Sequence, residues 1–473
     1  MQRLETDVAI IGAGISGLVT ALRLADQGVR SLVLEKGAED RYPCNTRVAG
    51  GAFHVAHRDV AEDPEIIRNA VVSRTKGAAR EDLVDALVND IGGATKWLRE
   101  KGVRFIKVGH ETYRRHTLAP PIATHGRRYW EGRGGDVLLR TLEAALIKAG
   151  GGIVRGTRAR QLVMEGGACV GLHAEQASGP VEISARAVVV CDGGFHSDPA
   201  LMREFISPAP EKMLQRNAGT GTGDGIRMAR AVGAQVVGMD RFYGHVMSQD
   251  AMHNPDLWPF PMIDFVCAAG VVVDGTGRRF MDEGLGGVTM ANRIARQADP
   301  LGATVIFDAA IWNGPGREYL IPANPTLLSN GGTLLSAPDL PSLAAQIGVP
   351  ADALAETVQA FNAAVASGQE AALTPHRSTG NYKAMQIQGG PYHAVKLCAG
   401  ITYTMGGLVI NADGHVLDAQ DQPIPGLYSA GCAAGGIEGG KGDGQVAYVG
   451  GLTRSTVFAL RAANELARQL VPA

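Results

Sequence analysis

The stretch that most constrains this chain is its first 36 residues. Asp7-Val-Ala-Ile-Ile11 is an apolar run without polar interruption, as suits a strand covered on both faces. Gly12-Ala-Gly14-Ile-Ser16-Gly17 follows at the spacing G-x-G-x-x-G, then an apolar-periodic segment to Gln27-Gly28, then Ser31-Leu-Val-Leu-Glu35-Lys36. Gly12 permits a tight turn, Gly14 lets backbone approach a pyrophosphate, and Gly17 lets helix pack on strand. The helix N-terminus turns free N–H groups and a positive dipole end toward that phosphate. Glu35 closes the second apolar strand 18 residues after Gly17, where a carboxylate accepts hydrogen bonds from ribose hydroxyls. A glycine-rich turn without a ligand would have to reproduce strand, helix, second strand and terminal acid in register by coincidence. The arrangement specifies a dinucleotide site.

At 473 residues the chain exceeds what one core usually supports, so two domains are expected. A net charge of −2, from 45 Lys+Arg against 47 Asp+Glu, gives no electrostatic case for nucleic acid or an anionic membrane. Met1-Gln-Arg-Leu-Glu-Thr runs straight into the first strand, and no apolar run reaches spanning length. The expectation is a cytoplasmic enzyme with no membrane segment. Six scattered cysteines show no CxxC or Cys/His ligand spacing, so neither a disulfide framework nor a metal site is expected.

Further along, the polar pair Asn45-Thr46 is followed by small residues ending in Gly50-Gly51, which lets a loop pass close to a planar ligand. Residues 64–100 read as packing helices. His110, Arg114, Arg115, His116, His125, Arg127, Arg128 and Arg133 then crowd one segment with Tyr129 and Trp130. Cations beside aromatics suit an anionic substrate or phosphate, and a solvated basic loop explains any single arginine equally well. Strand–turn–strand patterns run from Ile153 to Ala174, and Ala187-Val-Val-Val-Cys191-Asp192-Gly193-Gly194-Phe195 is another buried strand ending in a glycine turn.

Five motifs occur in order: Gly12–Glu35, Val188–Phe195, Gly221-Thr-Gly-Asp224 through Ala234, Gly275–Glu283, and Met405-Gly-Gly407 through Pro423–Gly431. Together they resemble the fumarate reductase/succinate dehydrogenase flavoprotein family over nearly the whole chain. Met262-Ile-Asp264, Asp282-Glu283-Gly284 and Gly400-Ile-Thr-Tyr-Thr404 look closest to its tricarballylate dehydrogenase branch. The resemblance implies an α/β fold. A Rossmann-type FAD-binding domain, discontinuous over residues 1–235 and 377–473, would carry an inserted α+β substrate-capping domain at 236–376. The insert has strand patterns at 270–274 and 304–308 and a helix at 352–365, and a long helix at 446–470 closes the chain. FAD is implied as the cofactor. Its contacts fall on Gly12, Gly14, Ser16, Gly17, Glu35 and Lys36, on Asn45, Thr46, Gly50 and Gly51, and on Asp192, Gly193, Asp224, Gly431, Cys432 and Val446. Asn45 stands where succinate dehydrogenases tether flavin through histidine, so the FAD is expected to be non-covalent; Cys432 replaces an acidic residue common in its motif.

The resemblance places His245 at a substrate-binding histidine and Asp264 at an acidic position on the strand entering the cap. The departures matter as much. Gly287 stands where fumarate reductases carry a proton-donating arginine, Tyr403 replaces an active-site histidine, and the segment around Lys441 lacks the last expected arginine. Fumarate reduction is therefore not expected. Tyr403, with a hydroxyl of ordinary pKa ~10, becomes the expected acid/base, and Arg293 and Lys441 the replacement cations. The reaction implied is desaturation, or reversible reduction, of a C–C bond beside a carboxylate or ketone of a small polar substrate, with hydride passing to flavin N5 and electrons to an unidentified acceptor. Two alternatives stand beside it: a 3-ketosteroid-type dehydrogenase, and an electron-transfer subunit that needs a partner chain.

Overall fold

The computed structural model describes residues 2–123, 129–442 and 444–471. The first strand, Gln2–Ile11, lies between Gly179–Val190 and Ser31–Leu34, all three parallel. Pro423–Ser429 and Ile153–Val154 extend this ladder in parallel on either side, and His415–Leu417 closes one edge antiparallel. Val8, Ala9 and Ile10 are fully buried, which is why the run carries no polar side chain. Arg158–Glu165 and Ala168–Gln176 form an antiparallel hairpin against Gly179–Val190. The glycine loop leads into helix Ile15–Asp26, which packs against the closing helix Gly451–Leu470. A Cβ on Gly17 would fall 1.9 Å from the Gly12 carbonyl oxygen, so only glycine lets the helix sit this close to the strand end. Gly12 itself has φ +95°, a left-handed turn that suits glycine.

A second sheet is built on the long strand Tyr392–Thr404. Leu214–Gln215 pairs with it in parallel, and Phe242–Ser248, Thr304–Asp308 and Leu335–Ala337 pair antiparallel. Val271–Val273 adds beyond Thr304–Asp308. This sheet reaches past the expected 236–376 limits on both sides, because the backbone groups of Leu214–Gln215 and Tyr392–Thr404 find their partners in it. The chain rejoins the first sheet only after Met405-Gly406-Gly407. Residues 64–100 are the helices Pro64–Thr75 and Glu81–Glu100, and the insert helix is Ala351–Ser367. Two local expectations change. Asp264 is the first residue of a helix, Asp264–Ala269, rather than part of a strand. The closing helix starts at Gly451 because Gly450, at φ +147°, passes so close to the His54 carbonyl oxygen that a Cβ would lie 2.3 Å from it.

Candidate active site

At the carboxyl ends of the parallel strands lies a cavity lined by Gly12, Gly14 and Ser16, by Glu35 and Lys36, and by Asn45 and Thr46. Asp192, Gly193, Asp224 and Cys432 complete the expected members of its wall. Glu35 accepts hydrogen bonds from the N–H groups of Ala13 (3.0 Å) and Gly37 (2.8 Å). Burial raises its pKa, and those two donors oppose the rise. Thr46 Oγ1 accepts from the Ile15 N–H at 3.1 Å, at the start of the glycine-loop helix. Lys36 Nζ donates to the Thr220 carbonyl (2.5 Å) and to Thr222 Oγ1 (2.9 Å). Asn45 ties two segments together, donating to the Thr402 carbonyl at 2.9 Å and accepting from the Ala218 N–H at 3.0 Å. Asp224 is taken up by Arg158 (2.9 Å, twice) and Arg227 (2.8 Å). Two wall residues keep buried polar atoms without a partner: Asp192 Oδ1 and both ring nitrogens of His196. Burial lifts Asp192 to about 6, and burial with the nearby Lys36 charge drops His196 to about 3.

A second polar group lies around the strand Phe242–Ser248. Strand alternation puts Tyr243 and His245 on one face. His245 Nδ1 meets Asp264 Oδ2 at 2.6 Å, and Nε2 meets the Tyr243 hydroxyl at 3.1 Å. Asp264 Oδ1 also accepts from the Val246 N–H at 2.8 Å. With Asp264 accepting from Nδ1–H, Nε2 is left as an acceptor for the tyrosine proton. Gly287 makes room for this arrangement: a Cβ there would stand 1.9 Å from both Cγ and Oδ2 of Asp264. The Tyr243 ring stacks on Tyr448 at 4.0 Å between centroids. Tyr448 meets His54 and His57 edge-on at 5.3 and 6.0 Å, and Tyr113 packs edge-on against the same two rings. Burial raises the hydroxyl pKa values of Tyr243 and Tyr448. Burial first, then the charges of Arg74 and Arg114, lowers His57 to about 4. His57 and its neighbour Ala56 have φ +59° and +50°, left-handed values at the tip of the hairpin His54–Val55/Arg58–Asp59. Such residues cost about 1–2 kcal/mol each. Backbone hydrogen bonds from Ala56 to Val449 (2.6 Å) and from His57 to His54 Nδ1 (3.3 Å) hold them there.

A family profile described as FAD binding domain matches residues 7–444. The chain belongs to this FAD-binding family. Among its relatives, a urocanate reductase of Eggerthella lenta is 28% identical over 450 residues, covering 91% of this chain and 70% of that protein. A 4-oxocyclohexanecarboxylate 2-dehydrogenase of Sinomonas cyclohexanicum is 25% identical over 512 residues, covering 90% of this chain and 87% of that protein. The crystal structure of a 3-ketosteroid delta1-dehydrogenase from Sterolibacterium denitrificans superposes with a TM-score of 0.73 at 21% identity, covering 98% of this chain and all of that one, which shows a shared fold. The protein is an FAD-dependent oxidoreductase with an α/β FAD-binding fold.

Within this flavoprotein the expected residues divide. The cavity lining does not include Gly17, Gly50, Gly51, Gly431 or Val446. Gly17 and Gly431 pack the glycine loop instead; a Cβ on Gly431 would lie 2.2 Å from Ser16 Oγ. Val446 packs with Tyr403 and Met405 and donates its N–H to Thr289. Tyr403 has a buried partner of its own. Its hydroxyl donates to both oxygens of Glu438 (2.9 and 3.1 Å), which accepts N–H bonds from Val449 and Gly450 and pairs with Arg454 at 3.0 Å. Burial, then the Glu438 charge, holds this tyrosine well above its usual pKa. Tyr243, its partner across the strand pair, takes the position beside His245. Lys441 is exposed, and Arg293 lies in the last turn of the helix Gly287–Ala295, whose first residue abuts Asp264. His125, Arg127 and Arg128 lie outside the described residues. Sequence reasoning missed His196, His54, His57, Tyr243 and Tyr448. Two signals were present: period-two spacing from His245 to Tyr243, and the His54-x-x-His57 pair just after the Gly50-Gly51 loop.

Proposed function

We propose that this FAD-dependent oxidoreductase desaturates, or in reverse reduces, a C–C bond beside a carbonyl or carboxylate, with Tyr243, His245 and Asp264 moving the proton. The observation that carries the reading is the continuous hydrogen-bonded chain from the Tyr243 hydroxyl through His245 to Asp264, at 3.1 and 2.6 Å. The unpartnered atoms of Asp192 and His196 on the cavity wall fit a large polar ligand, and the glycine loop fits its pyrophosphate. FAD, when bound, supplies the two-electron acceptor for the hydride that leaves the β-carbon. Glu35, Lys36, Asn45, Asp192 and His196 would hold it, and the carboxamide of Asn45 offers no nucleophile for a covalent tether.

The residues account for the other half of the reaction. In the oxidative direction the α-proton passes to the Tyr243 oxygen while the tyrosine's own proton moves to His245 Nε2. The imidazolium so formed keeps its Nδ1–H on the Asp264 carboxylate. The C–H bonding pair left at the α-carbon becomes the new C=C bond as the β-hydride departs. Reduction runs the same transfers backward. A buried tyrosine is a poor base alone, and passing its proton on in the same step removes that obstacle. Relatives named as a reductase and as a dehydrogenase support both directions on one scaffold. The test is anaerobic mixing of holoenzyme with a panel of saturated ketones and carboxylates, and of reduced holoenzyme with their α,β-unsaturated partners. Bleaching by the first set or reoxidation by the second is expected; a flavin that exchanges electrons with none of them overturns the proposal.

A further inference from the structure

We propose that Arg114 is a positioning residue for the proton relay, closing a ring of aromatic contacts whose two ends are Tyr243 and the helix that carries Asp264. The inference rests on the relay proposed above and adds what holds its two ends in register. Arg114 ends the 3-10 turn Thr112–Arg114, in the basic segment that the relay leaves unused. Its backbone is fixed, because its carbonyl accepts from the Val108 N–H (3.3 Å) and from Thr117 Oγ1 (2.8 Å). Its side chain is 12% exposed and donates to the Tyr113 hydroxyl at 3.3 Å. The guanidinium lies over the rings of Tyr113 and Tyr319, 5.4 Å from each centre. A cation between two tyrosine faces is drawn to both, and more strongly where water is excluded.

Each tyrosine leads to one end of the relay. Tyr113 meets His54 and His57 edge-on at 5.4 and 5.1 Å, both of those rings meet Tyr448, and Tyr448 stacks on Tyr243. On the other side the Tyr319 ring lies against Phe265 at 6.0 Å, and Phe265 directly follows Asp264 in the helix Asp264–Ala269. Tyr382 closes on Phe265 edge-on at 6.2 Å. Tyr243 sits on a strand and Asp264 on a helix, and the relay contacts of 3.1 and 2.6 Å tolerate little drift between the two. Arg114 joins the aromatic path from one to the path from the other. Tyr319 is presented to it at φ +82°, a left-handed backbone that a bulky aromatic residue rarely adopts. Its side chain is 37% exposed, so core packing does not impose that conformation. Strain of this kind persists where function needs a side chain in one place.

The test is a double-mutant cycle on the holoenzyme, read by hydrogen–deuterium exchange at the Val246 amide, which Asp264 Oδ1 holds at 2.8 Å. Amides of the strand Gln2–Ile11 serve as the reference for global opening. Arg114→Gln and Tyr319→Leu should each speed Val246 exchange over that reference by about two- to thirty-fold, the range of a cation–π contact. The double variant should go no further, because both substitutions remove the same contact. Arg114→Lys, which keeps a cation over the rings, should restore most of the protection. Tyr319→Gly relieves the left-handed backbone, so its melting temperature should hold while Val246 exchange quickens. A lower melting temperature with unchanged Val246 exchange would mean that the ring only packs, and overturns the proposal. So does exchange at the wild-type rate in both single variants, or effects that add in the double variant. The cycle needs no substrate, so it is independent of the reaction. If the coupling appears and Tyr243→Phe keeps a full rate of flavin reduction, Arg114 holds Asp264 in place and the relay falls. If Tyr243→Phe is slow and the coupling is absent, the relay stands and the role of Arg114 falls.

Discussion

Gly287→Ala isolates the space that Asp264 occupies. An added Cβ would stand 1.9 Å from Cγ and Oδ2 of Asp264 and 2.3 Å from Oδ1. Ordinary carbon contacts lie near ~3.5 Å, so the carboxylate must retreat by more than about 1 Å. That carries Oδ2, now 2.6 Å from His245 Nδ1, out of hydrogen-bond range. A charge-assisted bond of this kind is worth about 1.5–3 kcal/mol. Loss of a positioned acid/base costs ~10²–10⁴ in rate. The backbone does not confound the result. Gly287 opens a helix without positive φ, where alanine is favoured over glycine by about 1 kcal/mol. The assay is single-turnover flavin reduction under anaerobic conditions, with FAD occupancy measured on the same samples. The expected result is full FAD occupancy with flavin reduction slowed by about two to four orders of magnitude. A wild-type rate would refute the reasoning, since Asp264 would then tolerate displacement and have no part in moving the proton.

Acid precipitation should release the flavin into the supernatant as FAD, because Asn45 cannot tether it; yellow colour retained in the pellet would contradict this. Dithionite-reduced enzyme should not pass electrons rapidly to fumarate, since Gly287 removes the arginine donor and its space is filled by Asp264; fast reoxidation by fumarate would contradict that. Stability of the FAD-free protein should fall as pH drops from 6.5 toward 4. His196 and His57 have folded pKa values near 3 and 4, below the 6.5 of the unfolded chain, so the unfolded state takes up protons first. Each contributes up to ~1.4 kcal/mol per pH unit, and Asp192, raised to about 6, offsets one of them. His196→Gln should flatten the slope seen in thermal melts, and a slope unchanged by that substitution would mean His196 is not buried neutral.

The first sheet and its cavity were legible because their residues are dictated locally. Strand burial forces an apolar run, close helix packing forces Gly17, and the second strand ends where Glu35 faces the loop. The second sheet's limits were not legible, because the partners of Tyr392–Thr404 lie up to 186 residues away and nothing local marks them. The proposed proton relay was half legible. His245 and Asp264 stood out by family position, but which tyrosine joins them depends on where each hydroxyl points. Tyr243 and Tyr403 are partners in register on adjacent strands, and only the buried Glu438–Arg454 pair captures one of them.

The central claim is that Tyr243, and not Tyr403, carries the proton. It is tested most directly by comparing Tyr243→Phe with Tyr403→Phe in anaerobic single-turnover flavin reduction, using the substrate that the carbonyl panel identifies. Each substitution removes one hydroxyl and keeps its ring, so the stack on Tyr448 and the packing near Val446 are preserved. Tyr243→Phe should slow flavin reduction by ~10²–10⁴, while Tyr403→Phe leaves the rate within a few-fold and lowers stability by about 1.5–3 kcal/mol through the lost hydrogen bond to the charged Glu438. A full rate in Tyr243→Phe together with a dead Tyr403→Phe would contradict the account.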